Sequence, residues 1–374
     1  MWPESSENQQ QSLRNGLTTG CCATACCVAA AQAMLASKQP KTVDVTLPRG
    51  QLVELEITAY ELLENNQGVR TATIKDAGDD PDVTHGATVF VELRLNSSPG
   101  VIFKPANGVG TVTRPGLVLD VGEPAINPVP RKMMTEHLLK AAEVYRYKGG
   151  FEVAVGVEKG EQIARKTMNP KLGILGGLSI LGTTGIVRPY SCAAYIASIR
   201  QGVDVAIANG VDHIAATTGS NSEAAIKAHY GLDDMALIEM GDFVGALLKH
   251  LRKAPVARLS ICGGFGKMSK LANGHMDLNS RSSSIDFEHM AMLATQLGAD
   301  EPLIEKITSA NTSMEVLKHC RAAEIDLSQA VCNQALKVAQ ETVLKQQPAL
   351  QIEVWATDRQ GAFVGHAVSQ GFFA

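Results

Sequence analysis

Four carboxylates crowd seven positions of one stretch: Asp76, Asp79, Asp80 and Asp82 in Lys75-Asp76-Ala77-Gly78-Asp79-Asp80-Pro81-Asp82-Val83-Thr84-His85-Gly86. Their spacing does not match an EF-hand loop, which needs a Glu at its twelfth position. Like charges held close can raise the pKa of one member and make it a general base. These four residues are therefore the acid/base candidates. The competing reading is a solvated turn with Asx caps.

A second kind of chemistry is offered by Thr217-Thr218-Gly219-Ser220-Asn221 and Gly263-Gly264-Phe265-Gly266-Lys267. Each places Gly at a strand-to-helix junction, where a parallel sheet binds ligands. Neither is a P-loop: Ile261 stands where the first Gly would be, and Met268 replaces Ser/Thr. Neither is a G-x-G-x-x-G either. Glu239, ending the strand after Gly219, can accept from a ribose hydroxyl.

Two further loops are rich in Gly and Thr. Thr18-Thr19-Gly20 opens a helix and reads as an anion site or as an ordinary N-cap. The run from Asn169 to Pro189 spaces its Gly regularly and reads as backbone lying under a flat ligand, or as a structural loop. Cys21, Cys22, Cys26 and Cys27 have neither C-x-x-C spacing nor a nearby His, so they read as small apolar residues on a closely packed helix. No metal site is expected. His85, His213 and His275 are isolated, and no Ser-His-Asp or Cys-His set is recognisable.

The elements that must position these residues fall into two groups. After the Ala-rich helix, Val43–Leu47 and Val53–Ile57 alternate around Pro48-Arg49-Gly50, a hairpin pattern. Strands are expected near Val69–Ile74, Thr88–Leu95 and Leu117–Val121, and a helix over Arg131–Arg146. Lys148-Gly149-Gly150 reads as a linker. This predicts an α+β domain over 1–147. In 148–374 strands alternate with helices, which predicts a parallel sheet. Strands are expected at Phe151–Val157, at Val203–Ala208 or Ile214–Ala216, at Ala236–Glu239 and at Arg258–Cys262. Helices are expected at Ser191–Arg200, Asn221–His229 and Phe243–Leu251. A helical stretch over 286–346 and a strand pair near 350–356 and 362–368 close the chain.

The 374 residues carry 34 Lys+Arg and 38 Asp+Glu, a net charge of −4, which excludes nucleic-acid binding through overall charge. Asn15 to Ser37 holds no charge, yet its Ala, Thr, Gly and Cys are too weakly apolar for a signal peptide or a membrane span. Residues 1–12 are polar and read as loose. The chain is expected to be cytoplasmic, and adjacent Cys there read as reduced thiols. The 34 Gly exceed the roughly 26 expected at about 7% usage, and aromatics are only 5%.

Taken together, several blocks resemble the signatures of one family. They are Leu13-Arg14-Asn15-Gly16-Leu17-Thr18-Thr19-Gly20, Lys75 to Thr84, Gly108-Val109-Gly110-Thr111, Pro124 to Arg131, Gly176 to Val187, and Gly266-Lys267-Met268-Ser269-Lys270-Leu271-Ala272-Asn273-Gly274. In this order, over about residues 13–285, they resemble the CbiD family of cobalt-precorrin-5B (C1)-methyltransferases. One departure is visible: Asp277-Leu278-Asn279-Ser280-Arg281 stands where the family pattern runs Asp-x-His-Ser.

The resemblance implies S-adenosylmethionine-dependent methylation of a corrin carbon in the anaerobic, early-cobalt route to cobalamin. It also implies an α+β domain joined to a Rossmann-like domain. Thr218, Gly219, Ser220, Asn221, Glu239, Gly263, Gly264 and Gly266 then become donor-binding candidates. The polycarboxylate macrocycle calls for local cations, and Arg14, Lys75, Arg114, Arg131, Arg188, Lys267, Lys270 and Arg281 lie in or beside the blocks, with Thr18 and Thr19 as further substrate contacts. The cobalt belongs to the substrate. The expected partner is the cobalt-containing precorrin, with no nucleic acid or membrane, and with room for homo-oligomers and transient contacts with other cobalamin-pathway enzymes. Two other functions compete: a non-catalytic tetrapyrrole carrier or scaffold, and a nicotinamide-dependent reductase, against which the missing G-x-G-x-x-G speaks.

Overall fold

The structure is a computed structural model that describes residues 13–64, 67–254, 256–343 and 345–372. The polar segment 1–12 lies outside the described residues. The chain is a mixed α/β protein that divides into two compact units, one ending at Cys192 and one beginning at Ala193.

The first unit runs in the order β1 (Gly16–Leu17), α1 (Thr19–Ala36), β2 (Thr42–Thr46), β3 (Leu52–Glu56), β4 (Ala59–Leu62), β5 (Gly68–Ile74), β6 (Thr88–Asn96), β7 (Val101–Pro105), β8 (Gly108–Val109), β9 (Thr111–Val112), α2 (Pro128–Val144), β10 (Gly150–Val157), α3 (Gly160–Ala164), β11 (Ile174–Leu175), β12 (Gly177–Leu178) and β13 (Ile186–Val187). Its main sheet has the order β4-β5-β6-β10-β7, antiparallel except for the parallel β10–β7 pair.

Helix α1 packs on that sheet. Thr18 caps it by accepting from Cys21 N, and Ser37 ends it in the left-handed region. Its four Cys and Ala23, Ala25, Ala29, Ala30 and Ala31 are buried with Val89, Val91, Leu93, Val153 and Val155. Small side chains permit the close approach: a Cβ on Gly20 would meet Pro130 of α2 at 2.7 Å. By length and composition α1 could cross a membrane, but here it is a core helix. Larger core residues such as Phe151 and Leu138 are fully buried, each contributing about 1.5–3 kcal/mol.

The second unit contains α4 (Cys192–Ala208), β14 (His213–Thr217), α5 (Ser220–Tyr230), β15 (Leu237–Glu239), α6 (Val244–Leu251), β16 (Arg258–Gly264), α7 (Phe265–Ala272), α8 (Phe287–Gln296), α9 (Glu301–Thr308), α10 (Ser313–Ala322), α11 (Leu327–Val343), β17 (Gln351–Thr357) and β18 (Phe363–Val368). Its sheet has the order β15-β14-β16-β17-β18. The first four strands are parallel and β18 is antiparallel.

Three expectations change. The division falls at Cys192 rather than at 147, because β10 pairs with both β6 and β7 inside the first sheet. Gly150 therefore begins a strand instead of a linker. Val203–Ala208 belongs to α4, and the strand is His213–Thr217. Leu117–Val121 is not a strand: Gly116 and Gly122 bracket it at positive φ, and Gly122 N closes the loop onto Val112 O at 2.8 Å.

Candidate active site

In the second unit the parallel strands end together. Thr217 lies beside both Glu239 and Cys262, and Gly264 beside Thr357. Strands β14 and β16 are neighbours, but the helices that follow them leave on opposite faces. Ile226 of α5 packs with Ala215, Leu237 and Cys262. Phe265, Met268 and Leu271 of α7 pack with Ile214, Ala216 and Ile261. The two helices therefore leave the carboxyl ends of neighbouring parallel strands on opposite sides of the sheet.

The two Gly-bearing turns meet at these strand ends. Thr218 N donates to Cys262 O at 3.1 Å. Added Cβ atoms on Gly219 and Gly264 would meet nothing within 4 Å, so these two leave open space. Gly263 and Gly266 do not: a Cβ would strike Thr218 and Met268, or Ser313. Packing against these side chains is itself a reason for Gly at 263 and 266. Ser220 is exposed, and Asn221 Nδ2 donates to Arg359 O at 2.9 Å. Thr217 Oγ1 is buried without a hydrogen-bond partner.

Acidic groups line the same edge. Tyr195 is hydrogen-bonded to Glu239, and burial, followed by the charges of Glu239, Asp242 and Glu223, raises its hydroxyl pKa strongly. Asp242 Oδ1 lies 3.0 Å from Lys267 Nζ, and Asn279 Nδ2 donates to Asp242 Oδ2 at 3.2 Å. Lys267 Nζ also donates to Thr218 O at 3.2 Å. Sequence reasoning missed Tyr195 and Asp242. Neither sits in a Gly-rich block, and only the fold brings them beside Glu239.

The aspartate loop of the first unit has a different character. Arg14 forms a two-pronged ion pair with Asp76, which lowers the Asp76 pKa to about 2. Asp79 Oδ2 accepts from Arg14 N at 2.6 Å, and Asp80 Oδ1 from Tyr190 N at 2.8 Å. Asp82 accepts from Lys75 Nζ, Thr84 N and Thr84 Oγ1. Burial opposes its ionisation, but Lys75 and Thr84 outweigh that and hold its pKa below the usual value. The expected rise in pKa is thus corrected for Asp76 and Asp82. Cations and backbone donors neutralise the crowding and push Asp76 and Asp82 down, not up.

Several expected substrate contacts are also spoken for. Thr18 caps α1, and Thr19 Oγ1 is tied to Leu181 N at 3.1 Å. Gly20 N donates to Leu181 O and Thr18 N to Gly185 O, so the glycine loop, not an anion, fills this helix start. Lys75 is buried. Lys270 is buried too, with its ammonium on Leu278 O and Ser283 O at 3.0 and 2.8 Å; burial lowers its pKa. Arg131 grips Ile126 O, Pro124 O and Glu123. Arg114, Arg188 and Arg281 are exposed. Cys21, Cys22, Cys26 and Cys27 are fully buried, and burial raises all four thiols, Cys22 to about 12.

Residues 6–189 match the sequence profile of CbiD, and residues 277–368 that of the CbiD C-terminal domain. The chain belongs to the CbiD family. A CbiD relative from Marinomonas sp. (strain MWYL1), named cobalt-precorrin-5B C(1)-methyltransferase, is 63% identical over 98% of this chain and 97% of its own length. A relative of the same name from Paraburkholderia phytofirmans is 59% identical over 95% of this chain and 97% of its own. A crystal structure titled cobalamin biosynthesis protein (cbiD) from Archaeoglobus fulgidus is 26% identical, with 84% and 85% of the two chains covered and a TM-score of 0.38.

Proposed function

We propose that this CbiD protein is a cobalt-precorrin-5B C(1)-methyltransferase. It moves the methyl group of S-adenosylmethionine to ring carbon C1 of cobalt-precorrin-5B, giving cobalt-precorrin-6A in the anaerobic pathway of cobalamin biosynthesis. The observation that carries this reading is the 63% identity to a relative of that name over 98% of the chain.

We read the second unit as Rossmann-like, on its parallel strands and diverging helices. The donor then sits where β14, β15 and β16 end. The residues there suit it. Gly219 and Gly264 leave room for close backbone approach. Glu239 supplies negative charge for a cationic donor, and the buried Thr217 hydroxyl lacks a partner. When bound, the donor would supply an electrophilic methyl group beside Gly219, Gly264 and Glu239. The chain's contribution is alignment, an effect that can supply on the order of 7–11 kcal/mol. Arg114 and Arg188, exposed on the glycine-rich loops of the first unit, are the cations we assign to macrocycle carboxylates. All eight cysteines are free thiols, which supports a cytoplasmic enzyme.

The test is anaerobic incubation with cobalt-precorrin-5B and methyl-labelled donor. Label in the corrinoid, with release of S-adenosylhomocysteine, is expected. A folded protein that binds the corrinoid but gives no donor heat in calorimetry would instead be a carrier.

A further inference from the structure

Three loops end at the proposed donor site, and one pair of side chains fastens them together. Lys267, on the first turns of α7, reaches back to the loop after β14 through Thr218 O at 3.2 Å. It reaches the loop after β15 through Asp242 Oδ1 at 3.0 Å. A fourth segment joins from Asp242's other oxygen, which accepts from Asn279 Nδ2 at 3.2 Å, while Leu278 N donates to Asp242 O at 2.8 Å. The segment that carries Asn279 is itself pinned: the buried ammonium of Lys270 holds Leu278 O and Ser283 O on either side of it.

We infer that Asp242 and Lys267, seated by Asn279, form a positioning latch that fixes the donor site in its binding geometry. The inference rests on the donor site proposed above. Its physical basis is the asymmetry of the contacts. Lys267 is only partly exposed and Asp242 less so, with side-chain exposures of 37% and 23%. Asp242 Oδ1 has this ion contact and no well-aligned hydrogen bond. A charge pair therefore joins α7 to the loop after β15, and a hydrogen bond from the same ammonium to Thr218 O joins it to the loop after β14. Loss of the Lys267 ammonium removes the side-chain ties to Thr218 and Asp242 together, and loss of the Asp242 charge removes the ion pair, in each case leaving the loops to backbone bonds such as Thr218 N to Cys262 O and Gly241 N to Thr217 O. A latch also predicts non-additivity, because both substitutions remove the same ion pair.

The test is calorimetric binding of S-adenosylhomocysteine to the full chain, with thermal melts as a folding control. Asp242→Asn and Lys267→Met should each weaken binding on the order of tenfold, and the double variant no further. Lys267→Arg should bind within about twofold of the parent, since it keeps the charge. In turnover the donor KM should rise while the corrinoid KM stays unchanged, a split that general destabilisation would not give. Asn279→Ala is the second variant. It leaves the ion pair in place and should weaken binding by a smaller factor. Parent-like affinity in Asp242→Asn and Asn279→Ala, with Glu239→Gln or Gly264→Val impaired, overturns the latch and keeps the donor site. Parent-like affinity in Glu239→Gln and Gly264→Val overturns the site reading itself, and the latch with it.

Discussion

Lys75 Nζ lies 2.5 Å from Asp82 Oδ2, with the lysine side chain 2% exposed and the aspartate 25%. The two halves of this pair therefore differ in what their loss leaves behind. Asp82→Asn strands a buried ammonium and should cost about 3–5 kcal/mol. Lys75→Met leaves a carboxylate that water and Thr84 still solvate, and should cost about 1–2 kcal/mol. Urea unfolding of the two variants checks the order, and the reverse order would refute the assignment.

Glu353 is fully buried and accepts from Ser260, Tyr230 and His366, while Ser260 Oγ also lies 2.7 Å from His213 Nε2. Burial opposes its ionisation, but His366, Ser260 and its other donors hold its pKa below the ordinary 4.5. The sign follows. A lowered folded pKa stabilises the protein above the unfolded value, and that contribution is lost as pH falls through the folded one. Unfolding free energy should drop below about pH 4.5 in the parent. Glu353→Ala should cost about 3–5 kcal/mol near neutrality and flatten this dependence.

Only Cys192 among the eight thiols is exposed. The native protein should give one fast-reacting thiol with a disulfide reagent at pH 8 and eight after denaturation. A second fast thiol from the Cys21–Cys27 cluster would contradict the packing of α1.

Gly108 has φ +82°, and a Cβ there would lie 1.9 Å from Val157 O. Backbone cannot yield as a flexible side chain does. Gly108→Ala should lower stability by more than about 2 kcal/mol, read as a fall in Tm.

Two arginines separate recognition from support. Arg188 is exposed, whereas Arg131 fastens Ile126 O, Pro124 O and Glu123. Arg188→Ala should raise the corrinoid KM with an unchanged Tm. Arg131→Ala should lower the Tm by several degrees, since each 1 kcal/mol lost moves Tm by roughly 2–8 °C.

By itself the sequence determined the family, from long ordered blocks, and most elements whose pattern is local. The 43–57 hairpin, α5, β16 and the helical stretch after 286 need only periodicity and turn residues, and they stand where expected. It also pointed to the turns at 217–221 and 263–267, because Gly after a buried strand is a local signal. The tertiary structure decided what depends on partners distant in sequence. Strand β10 joined the first unit because its pairing with β6 and β7 is invisible to a local window. The four aspartates became staples because Arg14, Lys75 and Tyr190 reach them, which composition could not show. Gly263 and Gly266 separated from Gly219 and Gly264 only when the atoms around each were in place. Asp242 entered the site for the same reason: a short-range ion pair forms only after three strand ends have been brought side by side.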